Sequence, residues 1–190
     1  MSAICVFCAS SQRIDASFLS LATAVGERIG RGGHRLVSGG GRVSMMGAVA
    51  AATRAHGGHT LGVIPQHLVA WEVADVEADE LVVVDTMRER KALMDAHAEV
   101  FLVLPGGIGT LEEFFEVWTA SSLGMHPKPV VVLDPTGFYT PLWQYLHSLV
   151  EPGFVRQSAL DALHLTTSVD EAFAVIEAMT PPDRADSQGA

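Results

Sequence analysis

Val100-Phe101-Leu102-Val103-Leu104-Pro105-Gly106-Gly107-Ile108-Gly109-Thr110-Leu111-Glu112-Glu113 holds the transition that decides the fold. The unbroken apolar run Val100–Leu104 predicts a strand buried on both faces. Pro105-Gly106-Gly107 halts it, and apolar residues then recur at helical spacing over Thr110–Leu123. A strand of that kind running through a glycine turn into a helix is the repeating step of a parallel sheet covered by helices.

The same step recurs on both sides. Strands are expected at Ala3–Cys8, Arg35–Val37, Thr60–Ile64, Leu81–Val84 and Pro129–Leu133. Helices are expected at Asp15–Arg31, Met45–His56, Met87–His97, Pro141–Val150 and Ser168–Met179, with Thr140 as an N-cap before Pro141. Gln66–Asp79 is less regular and reads as a lid or a peripheral loop. The prediction is an α/β fold with three αβα layers and a parallel central sheet. With 190 residues, 48% of them hydrophobic, and no linker composition, residues 1–179 form one domain. Residues 180–190, with Pro181, Pro182 and Gly189 and no apolar periodicity, read as a disordered tail.

Charge narrows the partners. A net charge of −10 argues against nucleic acid, which calls for a basic surplus. It leaves room for a small anionic ligand, because helix N-termini bind phosphate without surplus Lys or Arg. Cys5 and Cys8 share one strand and, three positions apart, point to opposite faces. That favours two buried free thiols in a reducing, cytoplasmic setting over a disulfide. No apolar stretch approaches the ~20 residues of a membrane span.

In sheets of this class, ligands bind beyond the carboxyl ends of the strands. Two glycine-rich segments fall there. The first, Gly39-Gly40-Gly41-Arg42-Val43-Ser44, opens a helix but lacks the Gly-Lys-Ser/Thr of a Walker A loop and the acidic partner of a dinucleotide fingerprint. The second is Pro105–Glu113. It has two readings, which can both hold: a capping box between Thr110 and Glu113, or a backbone cradle for an anion. The same Ser/Thr-x-x-Glu spacing at Ser168 and Glu171 needs no reading beyond a cap.

At these residues the chain resembles the Lonely Guy family, the cytokinin riboside 5′-monophosphate phosphoribohydrolases, whose relatives are often mislabelled lysine decarboxylases. Pro-Gly-Gly-x-Gly-Thr-x-x-Glu is met in full at Pro105–Glu113, and an Arg-Lys pair at Arg90-Lys91. The opening Cys5-Val6-Phe7-Cys8-Ala9-Ser10-Ser11 is also similar. The resemblance implies a Rossmann-like fold, a homodimer and hydrolysis of a nucleoside 5′-monophosphate to free base and ribose 5-phosphate. No cofactor is expected. It maps catalysis onto Arg90 and Glu113. It maps substrate contacts onto the glycine loops, at Gly40, Gly41, Gly106, Gly107, Gly109 and Thr110. Ser10, Ser11, Ser44, Met87, Lys91 and Glu116 complete the candidate substrate site. Ser38, Arg42, Ser44 and Arg88 depart from the family pattern, which bears on base preference and rate more than on reaction class.

The residues support those roles chemically. Breaking an N-glycosidic bond builds positive charge on the ribose, and a carboxylate such as Glu113 stabilises it and orients water. Glu116, one turn on, could hold a ribose hydroxyl or raise the pKa of Glu113, or it is a plain polar position. Glu112 should face solvent. Arg90 offers a fork for phosphate or for a carboxylate, and Lys91 either assists or is exposed. Ser10 and Ser11 either touch ligand or form a helix-entry turn. Trp71 either covers an adenine-like base, or is exposed or at a dimer contact. His56 and His59 flank Gly57-Gly58 with no ligand cluster beside them, so metal binding is not expected. Met45, Met46 and Met94 read as packing residues. Phe114, Phe115, Val117 and Trp118 give their helix a wide apolar surface, for a partner subunit or for the interior. Two other functions compete. A non-catalytic nucleotide-binding module would need the same loops. Pyridoxal-dependent lysine decarboxylation would need a Schiff-base lysine, and only Lys91 and Lys128 exist.

Overall fold

A computed structural model of the chain describes residues 1–69 and 73–180. Trp71 and residues 181–190 of the tail expected at 180–190 lie outside the described residues, while Thr180 is described and its Oγ1 accepts from Ser2 Oγ at 2.9 Å. The strands are β1 (Ala3–Phe7), β2 (Arg35–Ser38), β3 (His59–Pro65), β4 (Glu80–Val84), β5 (Val100–Val103), β6 (Val130–Leu133) and β7 (Leu163–Thr166). The helices are α1 (Ala16–Arg31), α2 (Ser44–Ala55), α3 (Met87–His97), α4 (Ile108–Ser122), α5 (Thr140–Ser148), α6 (Gln157–Asp161) and α7 (Val169–Met179).

All seven strands pair in parallel in the order β4-β3-β2-β1-β5-β6-β7. The order reverses at β1, which pairs with β2 on one side and β5 on the other. The carboxyl ends of β1 and β5 therefore flank a switch-point crevice, the usual ligand site of such sheets.

Alternate strand residues feed two cores. Ile4, Val6, Leu36, Leu102 and Val131 face α1, α2 and α7. Cys5, Phe7, Val37, Phe101 and Val132 face α3, α4 and the segment around α5 and α6. Cys5 and Cys8 fall in different cores, both buried and unpaired, as their spacing requires.

Four local expectations need correction. The helix after the second glycine loop begins at Ile108, with Gly107 as N-cap. Thr110 is thus inside its first turn, and Thr110 and Glu113 form no capping box. Thr140 is the first residue of α5, not its cap. The Asp134 carboxylate, at the end of β6, accepts the N–H groups of Phe138 and Tyr139 at 2.8 Å each just ahead of that helix. Finally, α6 and β7 have no counterpart in the sequence reading. β7 is an edge strand that leaves Leu165 exposed, so it carries no run apolar on both faces. At α7 the cap is as expected, with Ser168 Oγ accepting from Glu171 N–H at 3.2 Å.

Candidate active site

A cavity of about 260 Å³ opens at the switch point. Its walls come from the end of β1 (Cys8–Ser11), the start of α3 (Met87, Arg90) and the start of α4 (Gly107–Thr110, Glu112, Glu113), with Met46 and Leu68 at the side. Eight predicted site residues meet here: Ser10, Ser11, Met87, Arg90, Gly107, Gly109, Thr110 and Glu113.

Helix periodicity aims the two central side chains. Arg90 and Met94, four apart, form the buried face of α3. Arg90 is only 5% exposed, and its Nη2 donates to the carbonyl of Gly39 at 3.1 Å. Gly39 is what makes room for it, since a Cβ there would lie 1.9 Å from that nitrogen. Thr86 fixes the start of α3 with a complete capping box, its hydroxyl and the Glu89 carboxylate each taking the other's backbone N–H. On α4 the buried stripe is Thr110, Phe114, Val117 and Trp118. Glu113 lies beside that stripe, half-buried, and its charge joins burial in pushing the Cys8 thiol up, so the thiol stays protonated.

The α4 N-terminus has no side-chain cap, whereas Asp15, Thr86 and Ser168 cap α1, α3 and α7. Its first N–H groups, around Gly107 and Gly109, border the cavity, and nothing lies within 4 Å of where a Cβ would stand on either glycine. Open donors at a positive helix end make an anion site. Gly106 has a different duty, because a Cβ there would lie 2.1 Å from Thr110 Oγ1.

The remaining predicted residues stand back from this cavity. Gly40 has φ +74° and packs toward Val63, Ile64 and Leu81 of the β3–β4 edge. Gly41 forms an antiparallel bridge with Ala74. Ser44 adopts φ +52°, and its hydroxyl donates to the Ser11 carbonyl at 2.6 Å. It holds the Ser10–Ser11 turn rather than lining the cavity.

Lys91 and Glu116 border a neighbouring groove of about 740 Å³ between α3 and α4, with Phe115, Leu123 and Met125 on its apolar wall. Lys91 bridges Glu112 and Glu116. Partial burial works against its charge, but the hydrogen bonds with Glu112 and Glu116 carry its pKa above the ordinary lysine value. Glu112 is exposed to solvent as its helical phase predicts, and it also pairs with Lys91 and borders both cavities. Lys128 is held by the backbone carbonyl and carboxylate of Asp95 at 2.6 and 2.8 Å. A Schiff base needs a neutral amine, whereas Lys91 is held in its charged form and Lys128 is occupied by Asp95. His56 Nδ1 pairs with the Ala52 carbonyl and His59 with Glu80. Among the described residues no three His, Cys, Asp or Glu side chains gather as a metal would require.

Comparison with known proteins fits this geometry. A protein-family model described as "Possible lysine decarboxylase" matches residues 46–179. The cytokinin riboside 5′-monophosphate phosphoribohydrolases of Mycobacterium marinum and Mycobacterium tuberculosis are 49% and 48% identical, each match covering 89% of this chain and 90% of theirs. One from Arabidopsis thaliana is 37% identical, covering 94% of this chain and 83% of its own. The chain belongs to this phosphoribohydrolase family. Its members bear the name of hydrolases acting on an N-glycosyl bond. The chain shares its fold with the molybdenum cofactor carrier protein of Chlamydomonas reinhardtii (TM-score 0.72, 21% identity, covering 94% of this chain and 97% of the other). That likeness speaks to the Rossmann-like architecture alone.

Proposed function

We propose that the switch-point cavity binds a nucleoside 5′-monophosphate and hydrolyses its N-glycosidic bond, with Glu113 and Arg90 as the catalytic pair. The observation that carries the reading is their meeting on one cavity with the uncapped α4 N-terminus. The open amides around Gly107 and Gly109 bind the 5′-phosphate, supported by the Ser10 and Ser11 turn. Glu113 faces the sugar. As the bond to the base breaks, its carboxylate stabilises the cationic ribose and orients water onto C1′. The water oxygen bonds to C1′, one of its protons passes to the departing base, and free base and ribose 5-phosphate result. Arg90, permanently charged and clamped by Gly39, grips the anionic end of the substrate most strongly as the bond to the base breaks, so its position bears on kcat more than on KM.

The groove bordered by Leu123 and Met125, 67% and 75% exposed, is the face we assign to a homodimer contact. Phe114, Val117 and Trp118 are internal, and Trp118 Nε1 donates to the Ala159 carbonyl at 2.7 Å. Among the described residues no helix is long and apolar enough to cross a membrane. A cytoplasmic location accords with the two unpaired cysteines, and the net charge of −10 with a partner other than nucleic acid.

Incubation with AMP and chromatography of the products tests the reading. Adenine should appear, and Glu113→Gln should slow its release by at least about 100-fold. Tight binding with AMP left intact would make the protein a nucleotide-binding module instead.

A further inference from the structure

The β3–β4 connection returns past the first glycine loop as a short strap, residues 73–75. Arg42 N–H donates to the Val73 carbonyl at 3.0 Å, Asp75 N–H donates to the Gly40 carbonyl at 2.8 Å, and Gly41 bridges Ala74. Val73 takes φ +47°, a conformation a β-branched residue avoids, so something must hold the strap in place. That something is Asp75. Its carboxylate, on a side chain 5% exposed, receives both terminal nitrogens of Arg54 at 2.8 and 3.3 Å. Arg54 projects from the last turn of α2, where its Nη1 also reaches Thr60 Oγ1 at 3.4 Å. Its Nη2 further pairs with the exposed Glu77 at 3.5 Å. A buried fork of this kind is costly to break, because losing one partner strands the other's charge.

The far side of the same loop carries Arg90. The Gly40 carbonyl is held by the strap, and the adjacent Gly39 carbonyl accepts from Arg90 Nη2. The two attachments sit on consecutive residues, so the orientation of one carbonyl constrains the other. We infer that Asp75, locked by Arg54, is a positioning residue for Arg90, acting through the Gly39–Gly41 backbone. This rests on the reading that Arg90 serves the hydrolysis. Asp75 borders neither cavity, and its effect passes wholly through the loop.

The test combines kinetics with hydrogen exchange. Asp75→Asn keeps the side chain's size and removes its charge. It should lower kcat by about tenfold or more while KM for AMP stays within about threefold, the pattern of a displaced catalytic group. Arg54→Met should do the same, and Arg54→Met/Asp75→Asn no worse than either alone. In an Arg90→Lys background, followed by single turnover at high enzyme concentration, Asp75→Asn should cost less than about twofold more, since the path to Arg90 is already cut. Amide exchange in the peptide spanning residues 39–46 should quicken in Asp75→Asn, with the α7 peptide unchanged. Wild-type kcat in Asp75→Asn, or the full loss repeated in the Arg90→Lys background, overturns the inference. So does unchanged exchange at 39–46, or exchange that quickens everywhere. If Arg90→Lys itself retains wild-type activity, the catalytic assignment fails instead, and the exchange result still judges the strap.

Discussion

Replacing Gly39 with alanine separates the position of Arg90 from the stability of the fold. The new Cβ would stand 1.9 Å from Arg90 Nη2 and 2.9 Å from its Cζ. Ordinary contact begins near 3.4 Å, so the nitrogen must retreat by about 1.5 Å and give up its bond to the Gly39 carbonyl. A misplacement of about 1 Å at a catalytic group costs on the order of 100-fold, equivalent to about 2.7 kcal/mol of barrier. The stability cost is smaller, because the clash falls on the end of a long side chain. One charged hydrogen bond is worth about 1.5 kcal/mol, which lowers Tm by roughly 3–6 °C in a chain of this size. Adenine release from AMP at saturation, set beside thermal unfolding, reads both quantities. Gly39→Ala with kcat within about threefold of wild type would refute the link between guanidinium position and rate. Collapse of the fold would refute the claim that the side chain, and not the backbone, absorbs the clash.

Gly109→Ala should behave in the opposite way: its Cβ meets nothing within 4 Å, so the helix gains about 0.5–1 kcal/mol while KM for AMP rises several-fold. An unchanged KM would show that the phosphate does not approach this amide. His34, buried and accepting the Ser2 N–H at Nδ1, has its pKa lowered first by desolvation and then by the N-terminal charge. Its neutral form is the folded one, so its contribution is complete above the ordinary value of about 6.5 and fades as pH falls through the lower folded value. Tm should decline on acidification below about pH 6.5, and His34→Gln should flatten that part of the curve. An unchanged slope in the variant would place the titrating group elsewhere. Ser168→Ala should cost about 1 kcal/mol through the lost α7 cap and leave kcat alone. A parallel fall in kcat would tie α7 to the site.

Much of this architecture is legible because burial on both faces writes itself into the strand sequences. β5 and β6 are fully buried and read directly from Val100–Leu104 and Pro129–Leu133. β7 escapes for the complementary reason, since an edge strand need not be apolar throughout. The second glycine loop and its Glu113 are legible from composition, yet the role of each glycine is not. What a missing Cβ admits depends on a neighbour that can lie far off in sequence, as Arg90 does from Gly39. The partner of Glu112 is hidden for a related reason. The helical phase of Glu112 points it away from the core, but Lys91 on α3 supplies a charge at that phase. Asp75 gave no local signal, because its burial follows from a guanidinium on another helix.

The glycines of the two loops therefore fall into two kinds with different chemistry. Gly39 and Gly106 leave gaps that the protein fills with its own Arg90 and Thr110, and they serve to place those side chains. Gly107 and Gly109 leave gaps that no protein atom fills, and they border the cavity where helix dipole and free amides favour an anion. A turn built for backbone geometry alone would have no reason to divide its glycines so. The filled gaps bring a permanent cation beside the cavity, and the open ones leave backbone donors bordering the same cavity. On the proposed reading a phosphate binds beside these positive groups, and Glu113, on the same cavity, faces the sugar.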